Sequence, residues 1–171
     1  MDMILKKGIR RGQWVLFGDF ERQAIYSGEI SKDDMLDMLE SRTSFIRFRL
    51  LTNCRNTKQI CEEIRTVTGF DADIKLKTRV EGPPVNYLTY TTEEEQKLKL
   101  KNLLDMLYAD HIGPEQITIL SPRRREKSVV SKLMEYEIAD YSVLAGMQTT
   151  FSTIHAFKGL ENTIVILVDI E

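Results

Sequence analysis

The sequence predicts an α/β fold with a mostly parallel sheet flanked by helices, and three observations carry that prediction. Residues 163–170 contain an almost unbroken apolar and β-branched run (Ile164, Val165, Ile166, Leu167, Val168) with little alternation. That pattern fits a strand buried on both faces, as parallel sheets require. Strand-like stretches alternate along the chain with helical periodicity, which is how α/β layers are built. Polar residues able to do chemistry (Gln23, Arg55, Ser121, His155 and Glu161) fall at or just after predicted strand ends. Sheets of this kind bind ligands at the carboxyl ends of their strands.

Taken in order, residues 1–12 are basic and broken by Gly8 and Gly12, and residues 13–17 read as a short buried strand. A strand that opens a chain without a neighbour suggests the end of an earlier domain. Ser31 is the expected N-cap of a short packing helix, with Asp33 and Asp34 in its first turn and Met35, Leu36, Met38 and Leu39 as its apolar stripe. Residues 44–51 alternate apolar and basic side chains and read as the first strand of the main domain. Ile60, Ile64 and Val67 then mark one face of a helix stopped by Gly69. Residues 70–84 mix charges and end in Pro83 and Pro84, an exposed excursion with a weak strand near 74–80.

Residues 85–90 predict a second strand, and Thr92 with Glu95 forms the signature of a capping box for a long helix through Leu98, Leu103, Leu104 and Leu107. Glu93 with Lys97 and Glu95 with Lys99 give its solvated face. Gly113 and Pro114 turn the chain into a third strand at 116–120. Ser121 and Pro122 suit the N-cap and first position of another helix, with Val129, Val130, Leu133 and Met134 on its buried stripe. Arg123, Arg124, Arg125 and Lys127 would crowd that helix's first turn, where the dipole disfavours cations. Two readings compete there, a nucleic-acid backbone as ligand and an ordinary solvated charge run.

Between the last two strands, His155, Lys158, Gly159 and Glu161 bring a ring nitrogen, an ammonium, a bare backbone and a carboxylate into seven residues. The run Thr153-Ile154-His155-Ala156-Phe157-Lys158-Gly159-Leu160-Glu161 resembles motif V of superfamily 1 DNA helicases of the UvrD/Rep type, whose pattern is T-x-H-x-x-K-G-L-E. GDFERQAIY at 18–26 resembles motif III and NCRNT at 53–57 resembles motif IV, in the family's order. The resemblance covers most of the chain from Gly18 onward and implies a RecA-like second motor domain, of the P-loop NTPase type but without the P-loop itself. It implies a remnant of the first motor domain at 1–30 and the second motor domain at 31–171, ending before motif VI.

By the same resemblance, Gln23 lies near the terminal phosphate of ATP and Arg55 reaches across to the γ-phosphate as an arginine finger, matching its donor fork to phosphate oxygens. These two carry the catalytic role. Lys158, Gly159 and Glu161 complete the nucleotide cleft, with Glu161 accepting from the ribose hydroxyl, while Thr153 and His155 face single-stranded DNA. Arg123 and Arg124 extend the nucleic-acid contacts if the first reading of the basic run holds. The motif III stretch departs from the family's commonest form by one extra residue between Asp19 and Gln23, and Ser27-Gly28-Glu29-Ile30 stands where a base-stacking Trp often follows.

The whole chain sets bounds on all of this. Its 171 residues suffice for one domain with a substantial core and are too few for two full motor domains. The net charge of −2 argues against binding nucleic acid by global charge, so any such contact is local. Cys54 and Cys61 have no second pair to complete a zinc site and read as reduced structural thiols. No metal site is expected on this chain. No apolar run approaches the roughly 20 residues of a membrane span, and the start lacks the apolar core of a signal peptide, so a cytoplasmic chain without membrane contact is expected.

There is no G-x-x-x-x-G-K-[ST] loop and no acidic pair in the pattern that holds Mg²⁺. The catalytic half of an ATPase is missing. ATP and Mg²⁺ are therefore expected in a larger parent protein, and the partners are single-stranded DNA and the parent's first motor domain. The alternative is a stand-alone interaction module that kept the fold and lost the motor.

Overall fold

The computed structural model describes residues 11–16, 32–48, 56–69, 80–141 and 146–170. The chain divides into two compact units, Met1–Val85 and Asn86–Glu171. In the first, α1 (Lys32–Glu40) carries Asp33 and Asp34 in its first turn, as expected, and Met38 is exposed. α2 (Lys58–Thr68) begins at Thr57, whose Oγ1 accepts from the Ile60 amide at 3.3 Å, and ends at Gly69 in the left-handed conformation (φ 63°), whose N–H reaches the Arg65 carbonyl. Both helix ends follow the sequence signals. Cys61 is the residue that α2 buries, whereas Ile60, Ile64 and Val67 are exposed. The strand expected at 13–17 is not formed by the described residues 13–16, and Val15 and Leu16 are exposed rather than buried. Trp14 instead stacks at a tilt on Phe45, with ring centroids 5.8 Å apart. Residues 44–48 likewise join no ladder, so that part of the expected first strand is absent.

The second unit holds a four-stranded, all-parallel sheet of order β2-β3-β1-β4. Its strands are β1 (Ile117–Ser121), β2 (Ile138–Asp140), β3 (Thr149–Thr153) and β4 (Ile164–Leu167). Every residue of β1 is buried, Thr118 and Ser121 included, whereas β4, expected to be buried on both faces, lies at the sheet's edge with Val165 and Leu167 exposed. α3 (Glu93–Ala109) packs across the sheet through Leu100 and Leu104, which join Ile117, Ile119, Phe151 and Val168 in one core. Leu98, expected on the buried stripe, is exposed instead. Its position, two residues before Leu100, turns it about 200° from the buried face.

The N-terminus of α3 carries the expected capping signal in a shifted form. Thr92 Oγ1 accepts from the Glu95 amide at 3.2 Å, and the Glu95 carboxylate reaches back to Thr91, accepting from its amide at 2.8 Å and its hydroxyl at 2.9 Å. Lys99 pairs with Glu95 at 2.7 Å, while Glu93 pairs with Lys132 at 2.7 Å rather than with Lys97. Residues 85–90, expected as a strand, join no ladder. Among the described residues no helix is long and apolar enough to cross a membrane.

The helix expected after Ser121 is replaced by two 3₁₀ turns, Arg125–Lys127 and Val129–Lys132. Val129, Val130 and Leu133 still enter the core, as their spacing suggested, but Met134 is exposed. A premise of the basic-run argument goes with the helix, because no α-helical dipole opposes these cations.

Candidate functional site

All four strands point the same way, so the segments leaving Asp140, Ser121, Thr153 and Leu167 emerge on one edge. Three of these exits are stitched together by backbone. The Ile154 amide donates to the Ser121 carbonyl at 3.0 Å, and the Val168 amide donates to the Leu120 carbonyl at 2.9 Å.

The turn after β3 is held by its first residue and one apolar anchor. Thr153 Oγ1 accepts from the Ala156 amide at 3.2 Å, and the Thr153 carbonyl accepts from the Phe157 amide at 3.0 Å. Phe157 is buried, edge-on to Tyr141 with centroids 5.1 Å apart, and fastens the middle of the turn. The Leu160 amide returns to the Phe157 carbonyl at 3.0 Å, and Gly159 takes φ 83°. A Cβ at Gly159 would meet nothing within 4 Å, so the requirement for glycine is conformational rather than steric. Around the anchor, His155, Gly159 and Glu161 are exposed, and Thr153 and Lys158 are half-buried.

The exit from β1 is organised by Asp169. This residue is 5% exposed and sits in the left-handed region at φ 57°. For a residue with a side chain that conformation costs about 1 kcal/mol, and Asp tolerates it better than most. Its Oδ2 accepts from Ser121 Oγ at 2.6 Å, its Oδ1 accepts from the Val129 amide at 3.2 Å, and Ser121 Oγ accepts from the Arg123 amide at 3.0 Å. No buried side-chain nitrogen or oxygen among the described residues lacks a partner.

The basic run divides by role. Arg125 turns inward: it pairs with Asp140 at 3.0 Å, donates to the Ile138 carbonyl and lies over the Phe151 ring at 5.8 Å. It therefore braces β2 against β3. Arg123, Arg124 and Lys127 remain exposed on the same edge as the turn after β3.

Thr153, His155, Lys158, Gly159, Arg123 and Arg124 thus belong to segments leaving the carboxyl edge of one parallel sheet, whereas Glu161 lies where the chain has turned back toward the amino edge, beside Asn162, which bonds the Glu115 carbonyl ahead of β1. Gln23 and Arg55 lie outside the described residues, as do the rest of the motif III stretch and all of the motif IV stretch except Asn56 and Thr57. Sequence reasoning missed Asp169. Its signal was an acidic residue directly after an apolar strand, at the edge where ligands bind. Among the described residues no group of three His, Cys, Asp or Glu side chains could hold a metal ion. The edge offers hydroxyl, imidazole and cationic donors to an anion. Comparison with known proteins adds no relative, since no family model, curated protein or solved structure matches the chain.

Proposed function

We propose that this chain supplies the second, RecA-like motor segment of an ATP-driven superfamily 1 DNA translocase. The observation that carries the reading is local. The residues resembling motif V start at the last residue of a parallel strand, and 153–160 form one tight turn as the chain leaves the sheet's carboxyl edge. That is where α/β sheets present ligand-binding groups.

On this reading the turn has two tasks. Thr153 and His155 contact the backbone of single-stranded DNA, joined by Arg123 and Arg124 on the neighbouring loop. Lys158, Gly159 and Glu161 contact the nucleotide, and by the motif resemblance alone Gln23 and Arg55 act on its terminal phosphate. Lys158 offers a point charge to phosphate, Gly159 lets backbone approach closely, and Glu161 accepts from a ribose hydroxyl. The sequence has no phosphate-cradling loop, so a companion motor domain holds the ATP phosphates and Mg²⁺. Arg55 then acts across the cleft, where a planar donor fork stabilises charge as the phosphoryl group departs.

A titration of labelled single-stranded DNA, paired with a phosphate-release assay, tests the reading. The chain alone is expected to hydrolyse no ATP and to bind DNA weakly, with affinity falling steeply as salt rises. His155→Ala and Thr153→Ala should each weaken that binding by several-fold. Turnover of ATP by the isolated chain, or DNA binding indifferent to both substitutions, would overturn the assignment.

A further inference from the structure

We propose that Asp169 is a positioning residue that sets the basic loop after β1 against a nucleic-acid phosphate backbone, a role that rests on reading this edge as part of a single-stranded DNA track. One carboxylate grips both ends of that loop. Ser121 Oγ donates to one oxygen at 2.6 Å and the Val129 amide donates to the other at 3.2 Å, so residues 122–128 form a loop closed by a single buried side chain. The grip is relayed to the loop's first basic residue. With its proton committed to Asp169, the Ser121 hydroxyl presents a lone pair to the Arg123 amide at 3.0 Å. Arg125 is drawn inward by Asp140 and Ile138, leaving Arg123, Arg124 and Lys127 as the exposed cations of a fixed loop.

Two further features favour use of the side chain over a purely conformational role. At φ 57° a glycine would satisfy the backbone more easily, yet the position carries a carboxylate that accepts two hydrogen bonds. The Ile154 amide also bonds the Ser121 carbonyl at 3.0 Å, so the residue Asp169 holds is tied to the turn carrying Thr153 and His155. Basic loop and turn form one ledge, and Asp169 fixes the basic part of it. An asparagine would hold the loop less firmly: with Oδ1 on the Val129 N–H, its Nδ2 would have to donate to Ser121 Oγ, which reverses that hydrogen bond, competes with the Arg123 amide for the oxygen and loses the carboxylate's charge.

The test measures binding of labelled oligothymidylate to the full 171-residue chain across a salt series for wild type, Asp169→Asn, Arg123→Ala and the double variant. Amide exchange is followed on the same proteins. Asp169→Asn is expected to weaken binding at low salt by about 3- to 10-fold and to reduce the salt slope by about 0.7, the share of one single-strand phosphate contact. The double variant should bind no worse than Arg123→Ala within about 2-fold, as expected when one residue acts through the other. Exchange at the Arg123 and Val129 amides should quicken while Ile119 stays protected. A merely structural aspartate would lower stability and leave the slope of the folded protein unchanged, and that result overturns the proposal. So does full additivity in the double variant. A wild type that binds no DNA defeats the translocase reading itself, whereas a wild type that binds and ignores Asp169→Asn defeats this inference alone. If Asp169→Asn does not fold, wild-type exchange decides: residues 123–127 must gain protection when the oligonucleotide binds, and no gain overturns the role.

Discussion

Asn162 donates from Nδ2 to Thr118 Oγ1 at 2.8 Å, linking the segment that enters β4 to the interior of β1. The same amide donates to the Glu115 carbonyl at 3.0 Å, and Thr118 shares a hydroxyl hydrogen bond with Thr150 at 2.9 Å. The polar chain therefore crosses from β3 through β1 to the residue after Glu161. Thr118 is fully buried, which makes a lost partner costly.

Asn162→Ala is expected to destabilise the chain by about 1–2 kcal/mol, the scale of hydrogen bonds removed from a buried group. Asn162→Asp should cost more, because a carboxylate cannot donate to the Glu115 carbonyl and would oppose it. Urea unfolding checks both, with an unchanged m value marking a stability effect rather than a change in the unfolded state.

A second expectation concerns acid. Glu95 has its pKa lowered from 4.5 to about 2, first by its hydrogen bond with Lys99 and then by the Thr91 amide and hydroxyl. A carboxyl whose pKa falls on folding contributes stability that is complete above its unfolded value and is lost as pH falls through the folded one. The contribution of Glu95 should fade between pH 4.5 and about 2. Thermal midpoints recorded over that range should fall less steeply with acid in Glu95→Gln than in wild type. Parallel curves would show that the cap carries no proton linkage.

What the sequence made legible was short-range. Thr92 before Glu95 and Gly69 after Thr68 are signals read within one turn, and both helix ends formed there, although the Glu95 carboxylate reaches back to Thr91 rather than to the Thr92 amide. The place of β4 was legible from its apolar run, but its expected burial on both faces was not met, because β4 is an edge strand in which Val165 and Leu167 are exposed and Ile164 and Ile166 half-buried. Contacts between residues far apart in sequence were not legible. Ser121 and Pro122 look locally like a helix start, but Asp169, 48 residues from Ser121, captures both the Ser121 hydroxyl and the Val129 amide. The chain there folds into 3₁₀ turns instead. Strand order was illegible for the same reason, and the three residues of β2 are too few to show a period. At the candidate site, the turn after β3 was readable from its own residues, whereas the inward use of Arg125 depends on Asp140 and Ile138 across the sheet.

The last expectation separates Arg55 from Glu161 in a parent motor that contains this chain. On the proposed function, Arg55 would act, as its resemblance to the motif IV arginine implies, on charge that develops at the γ-phosphate only as the bond breaks. Arg55→Ala should therefore cut turnover by about 10³-fold or more, the scale known for arginine fingers, with DNA affinity barely changed. Arg55→Lys should not restore it, because an ammonium lacks the planar fork that binds two phosphate oxygens. Glu161 is exposed at the end of the turn after β3, where a carboxylate can accept from a ribose hydroxyl in ground and transition states alike. Glu161→Gln should raise KM for ATP more than it lowers kcat, because it removes uniform binding. With a nucleotide lacking that hydroxyl, the substitution should matter less. Steady-state kcat and KM for both variants decide the matter: an Arg55→Ala enzyme with intact kcat would reduce the motif IV likeness to a structural one.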